Sequence, residues 1–119
     1  MLLSRVIGGE YMSNQLEKEF NTILQRKDSL EEGSYTAYLF NKGKEKILKK
    51  VGEECTEVVI ASMANNKEEL IGEICDLTYH VLVLMAKEGL SIEDIENELK
   101  KRSEKSNNFK GERKAITNL

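Results

Sequence analysis

An all-α bundle of four to five helices is the fold this sequence predicts, and three observations predict it. The 119-residue chain has no proline, four Tyr, three Phe and no Trp, and 33% of its residues are charged. That composition suits helices with wet outer faces better than a strand-rich sandwich. Apolar residues recur at i, i+3 and i+4 through two stretches of about twenty residues. Capping and stop signals, finally, divide the chain into segments of helical length.

The elements follow in order. Ser13 or Asn14 caps a first helix carrying Leu16, Phe20, Ile23 and Leu24 on one face and ending near Lys27-Asp28-Ser29. Residues 28 to 34, with Glu31-Glu32-Gly33, read as a loop. Ser34 then caps a short helix over Tyr35 to Asn41, which Gly43 stops or bends. Lys44 to Ala64 forms the second major helix, with a broad face of Ile47, Leu48, Val51, Cys55, Val58, Val59 and Ser62. Asn65-Asn66 breaks it. Asn66 with Glu69 makes a capping box for a third major helix over Lys67 to Lys87, whose buried face is Leu70, Ile71, Ile74, Leu77, Thr78, Val81, Leu84 and Met85. So short a break implies an antiparallel pair. Gly89 ends that helix, and Ser91 with Asp94 caps a last one bearing Ile92, Ile95 and Leu99. Beyond Lys101 the sequence is polar and weakly patterned. One domain over residues 13–102 is expected, preceded by an extension or leader over 1–12 and followed by a polar tail over 103–119.

Composition also excludes function classes. A formal charge of -3, mixed in sign along the chain, gives no polycationic surface for nucleic acid. The longest apolar run, Val81 to Ala86, is far short of the roughly 20 residues that cross a bilayer, so no membrane contact is expected. The first twelve residues lack the pattern of a secretory signal, and a cytoplasmic location follows. Cys55 and Cys75 belong to no Cys-x-x-Cys pair and read as buried thiols.

The chemistry concentrates in five acids: Glu53, Glu54 and Glu57 on the second major helix, Glu73 and Asp76 on the third. At about 100° per residue, Glu54 falls inside the apolar stripe, within roughly 40° of Val58 and Ala61, with Glu57 beside it. Glu73 lies at the edge of the facing helix's buried side, next to Asp76 and His80. Carboxylates converging on a half-buried seam repel one another and lose hydration, unless a cation or a proton compensates. An all-oxygen donor set selects a hard divalent ion, magnesium or manganese, which keeps positions open for water and phosphate. A solvated stripe paired with Lys46, Lys49 and Lys50 would explain Glu53 well and Glu54 poorly. A di-iron bundle needs Glu-x-x-His pairs, and the one histidine, His80, stands four residues after Asp76. On its own His80 reads as a hydrogen-bonding residue at the core edge. Lys46 and Lys50 share the flank of Glu57, where an ammonium group would meet substrate phosphate, and Lys42 lies just before them.

These residues carry a resemblance. Ser34-Tyr35-Thr36-Ala37, Lys42-Gly43, Lys46-Ile47, Lys49-Lys50-Val51-Gly52-Glu53-Glu54, Glu57-Val58-Val59-Ile60-Ala61, Glu73, Asp76-Leu77 and Tyr79-His80-Val81-Leu82-Val83-Leu84 resemble the phosphoribosyl-ATP pyrophosphohydrolases of histidine biosynthesis. That family lies within the all-α, MazG-like nucleotide pyrophosphohydrolases. The acidic motif marks the wider group, and the Ser-Tyr-Thr and Tyr-His segments narrow it. The resemblance implies hydrolysis of phosphoribosyl-ATP to phosphoribosyl-AMP and pyrophosphate. Glu54, Glu57, Glu73 and Asp76 would be ligands of Mg2+ (or Mn2+), and Glu53 would orient or deprotonate the attacking water. Lys42, Lys46 and Lys50 would meet phosphate, and Ser34, Tyr35, Thr36 and His80 are the candidate substrate contacts. It implies a homodimer or higher homo-oligomer that completes the bundle; some relatives are fused to a cyclohydrolase, for which this chain has neither the length nor the Cys/His content, so a monofunctional chain is expected. The alternatives are a pyrophosphohydrolase of another nucleoside triphosphate, such as dUTP or dCTP, and a non-catalytic helical module.

Overall fold

The computed structural model describes residues 14–29 and 32–105 in full and, before them, the backbone of residues 5–7 and 10–12. Five helices make the body: α1 (Gln15–Arg26), α2 (Tyr35–Lys42), α3 (Lys44–Met63), α4 (Lys67–Glu88) and α5 (Ile92–Ser103). Ahead of them, β1 (Arg5–Ile7) pairs antiparallel with β2 (Glu10–Met12) in the register Arg5↔Met12, Val6↔Tyr11, Ile7↔Glu10. The leader reading of residues 1–12 did not anticipate this pairing. Gly8-Gly9 between two β-compatible triplets was the available signal. Of the polar tail, residues 106–119 lie outside the described residues, and α5 runs on to Ser103, the first residue of the expected tail.

The helix ends obey local chemistry. Asn14 Oδ1 accepts the Leu16 N–H, and Ser34 Oγ accepts the Ala37 N–H. Gly43 joins α2 to α3 at φ 94°, a backbone that a side chain would strain. At the end of α3 the Asn65 N–H reaches the Ser62 carbonyl and the Asn66 N–H that of Ala61, a Schellman closure with Asn65 left-handed at φ 58°. Gly89 closes α4 in the same way. The Ser91–Asp94 capping box is complete. At Asn66 only half of the expected box forms: the Glu69 N–H donates to Asn66 Oδ1, while the Glu69 carboxylate takes the Asn66 side-chain amide in place of the backbone N–H.

α3 and α4 form the antiparallel hairpin that carries everything else, with Lys44 at the start of α3 paired to Glu88 at the end of α4 at 2.8 Å. The core lies at that end, where α1 and α2 pack on the pair. It comprises Phe20, Ile23, Leu39, Ile47, Leu82, Val83, Met85 and Ala86. Several expected positions therefore move. Leu82, Val83 and Ala86 are buried although they lie off the expected face of α4, because that segment is enclosed on more than one side. Leu48, Val59, Ile71 and Ile74 are exposed, as are Ser62 and both cysteines, contrary to the reading of buried thiols. Among the described residues no further helix covers them. α5 contributes Ile92 to the edge of the core, and none of its residues is buried. No helix of the described residues is long and apolar enough to cross a membrane.

Candidate active site

The acids meet where the enclosed and uncovered parts of the hairpin join. On α3 the i, i+3 spacing sets Glu54 and Glu57 on one side, and the antiparallel register brings Glu73 of α4 against them. One carboxylate oxygen from each of the three lies within 4.8 Å of the others. Glu54 is 6% exposed, as its place inside the apolar stripe requires, and Glu54 Oε2 and Glu73 Oε2 are buried without a hydrogen-bond partner among the described residues. Asp76, expected as a fourth ligand, is exposed and stands outside this tight trio, yet its charge still acts on Glu54 and Glu73.

The electrostatics record the crowding. Hydrogen bonding to Glu57 and loss of water push the Glu73 carboxyl up to about 7. Burial first, then the hydrogen bond and charge of Glu57, raise the Glu54 carboxyl, with Lys50 acting against them. Glu57 moves the other way: hydrogen bonds from Glu73 and Glu54 hold it below the usual carboxylate range. Crowding and burial thus favour the protonated form at Glu73 and Glu54, where a bound cation would neutralise the charge instead. Buried oxygens without partners, close mutual approach and a purely oxygen donor set fit a hard divalent ion.

Around the trio, Lys50 Nζ lies 3.4 Å from Glu53 Oε1 and 3.7 Å from Glu54 Oε1, so the expected cation stands at the acids, with Glu53 outside the cluster as its exposed partner. Lys42 rests over the Tyr38 ring, 5.9 Å from its centre, and Lys46 is half-buried one turn before Lys50. The three residues opening α2 are each tied to another helix. Ser34 Oγ accepts from Arg26 Nη1 at 3.2 Å, the Tyr35 hydroxyl lies 2.9 Å from His80 Nε2, and the Thr36 hydroxyl bonds that of Tyr79. Ser34 and Thr36, read as substrate contacts, are thus engaged in holding α2 to α1 and α4. Tyr35 remains half exposed, close enough for the charges of Lys50 and Glu54 to act on its phenol. Arg26 and Tyr79 were not singled out as contacts, since no local pattern reveals pairing between helices.

A helical hairpin whose clustered carboxylates keep two buried oxygens without partners, beside a lysine, defines the class: an all-α protein with a carboxylate-cluster site. The particular family follows from comparison with known proteins. The family model for phosphoribosyl-ATP pyrophosphohydrolase matches residues 17–103, and the chain belongs to that family. It is similar to proteins named phosphoribosyl-ATP pyrophosphatase from Clostridium acetobutylicum (59% identical over 104 residues, 87% of this chain and 94% of that one). It is also similar to those of Clostridium botulinum (56% over 107 residues, 90% and 97%) and Bacillus cytotoxicus (49% over 108 residues, 91% and 100%).

Proposed function

We propose that this chain hydrolyses phosphoribosyl-ATP to phosphoribosyl-AMP and pyrophosphate in histidine biosynthesis, using Mg2+ (or Mn2+) at the α3–α4 acids. The observation that carries the reading is the trio Glu54, Glu57 and Glu73, with two buried oxygens lacking partners, in a chain of this family. Those three would hold the ion, with Asp76 as the outer ligand. When bound, a divalent ion polarises phosphoryl oxygens and acidifies water.

The chain's own groups supply the rest. Glu53, exposed and paired to Lys50 beside the trio, would orient the attacking water and accept its proton. Water adds to one phosphorus and the bridging P–O bond breaks: attack at the α-phosphorus expels pyrophosphate with the electron pair, and attack at the β-phosphorus expels phosphoribosyl-AMP with it. Lys50, already at the acids, would swing its ammonium group to substrate phosphate as charge develops, with Lys46 one turn away and Lys42 beyond. The exposed apolar side chains of the hairpin's uncovered part support a homodimer, in which a second copy covers Val59, Ile60, Met63, Ile71 and Ile74.

The test is Mg2+-dependent pyrophosphate release from phosphoribosyl-ATP, ATP, dUTP and dCTP. Strong preference for phosphoribosyl-ATP is expected. Preference for a simple triphosphate would reassign the substrate, and silence with all four would remove the enzymatic reading.

A further inference from the structure

His80 is the only histidine in the chain and is 5% exposed, yet it reaches out of the core toward the site. Its Nδ1 lies 2.7 Å from the backbone carbonyl of Asp76, one turn earlier on α4. A carbonyl only accepts, so Nδ1 carries the proton. In the neutral ring Nε2 is then an acceptor, and at 2.9 Å it takes the O–H of Tyr35 from α2. The ring cannot turn freely: it meets Tyr35 edge-on at 5.7 Å and Tyr79 edge-on at 5.1 Å.

One consequence concerns Tyr35. With its proton committed to His80, the phenolic oxygen offers only lone pairs to the site. Resting on the pyrophosphohydrolase reading above, with Tyr35 as a substrate contact, we propose that His80 is a positioning residue: by taking the hydrogen bond of the Tyr35 hydroxyl it fixes that oxygen as an acceptor for a donor group of the bound substrate. His80 itself touches neither phosphate nor metal.

Two substitutions separate this role from core filling. Asn at position 80 keeps a donor near Nδ1 but loses the acceptor for Tyr35, whereas Gln reaches out to replace Nε2. In the full-length protein, His80→Asn and Tyr35→Phe should each lower kcat for phosphoribosyl-ATP by about 10- to 100-fold, the cost typical of losing an orienting partner. The double variant should be no worse than Tyr35→Phe alone, and His80→Gln should recover much of the loss. Melting temperature, read in parallel, should not rank the variants as kcat does. Wild-type kcat in His80→Asn, or losses that multiply in the double variant, would overturn the proposal. A wild-type chain inactive on phosphoribosyl-ATP would instead overturn the substrate reading. The 15N spectrum of this single imidazole needs no turnover. A protonated Nδ1 with an Nε2 signal that moves in Tyr35→Phe is expected, and a protonated Nε2, or a signal indifferent to Tyr35, would refute the arrangement.

Discussion

The two ends of the α3–α4 hairpin are built from similar residues and have opposite fates. At the end holding Lys44 and Glu88, α1 and α2 wrap the pair, and Ile47 and Val83 are fully buried. At the end holding Met63 and Ile71, those two side chains are 79% and 64% exposed, and Val59 and Ile60 are 60% and 61% exposed. The difference teaches where a carboxylate site can form. Deep in the enclosed end, three acids would lack both water and entry for substrate. On the uncovered end they would be solvated and need no ion. Glu54, Glu57 and Glu73 sit at the transition, Glu54 and Glu73 each with a buried oxygen that lacks a partner and Glu57 exposed beside them.

The sharpest way to break that comparison is to neutralise the transition. Glu54→Gln and Glu73→Gln should each cut pyrophosphate release about a thousandfold or more by removing charge that the ion and substrate require. The metal-free variants should melt higher than the metal-free parent because repulsion is relieved. Unchanged turnover, with helical content intact by circular dichroism, would show that the trio is not the site.

The two ends should respond differently to truncation and charge. Ile47→Ala, in the enclosed core, should lower stability by about 2–5 kcal/mol in urea unfolding at any protein concentration. Ile71→Lys should leave the isolated fold nearly untouched while shifting sedimentation toward a monomer. If Ile71→Lys leaves the sedimentation of the parent unchanged, the uncovered end is not a homodimer surface.

A smaller effect is the pH dependence of the metal-free protein. Glu73 holds its proton up to about 7 in the fold, against 4.5 ordinarily, so between those values the folded chain carries more protons than the unfolded one. Stability therefore falls as pH rises through that window and levels off above it. Glu54 is shifted in the same direction, while the lowering of Glu57 acts below 4.5. Added Mg2+ should reverse the fall, with affinity rising toward pH 7 as Glu73 gives up its proton. Melting curves from pH 4.5 to 8 with chelator and with Mg2+ would check this. A melting temperature that rises with pH in chelator would contradict the shared-proton picture.

Much was legible before any coordinates, and the reason is local. Helix periodicity, Asn and Ser caps, and glycine or asparagine stops act within a few residues, so the five helices and the turn at Asn65-Asn66 could be read from the chain. The place of Glu54 inside an apolar stripe is likewise a property of one helix, and it pointed to the site. Burial is another matter, because it depends on what lies opposite. Cys55, Val59 and Ile71 satisfy the same periodicity as buried residues but face a side that α1 and α2 leave exposed. Leu82, Val83 and Ala86 were passed over because three helices, not one, enclose that part of α4. Position along a helix can be counted in sequence. Which carboxylate stands within reach of which, Asp76 held outside the trio, and the Tyr35 hydroxyl paired with His80 Nε2 are decided only when two helices from distant segments settle against each other, since those contacts depend on packing distances that no local pattern encodes.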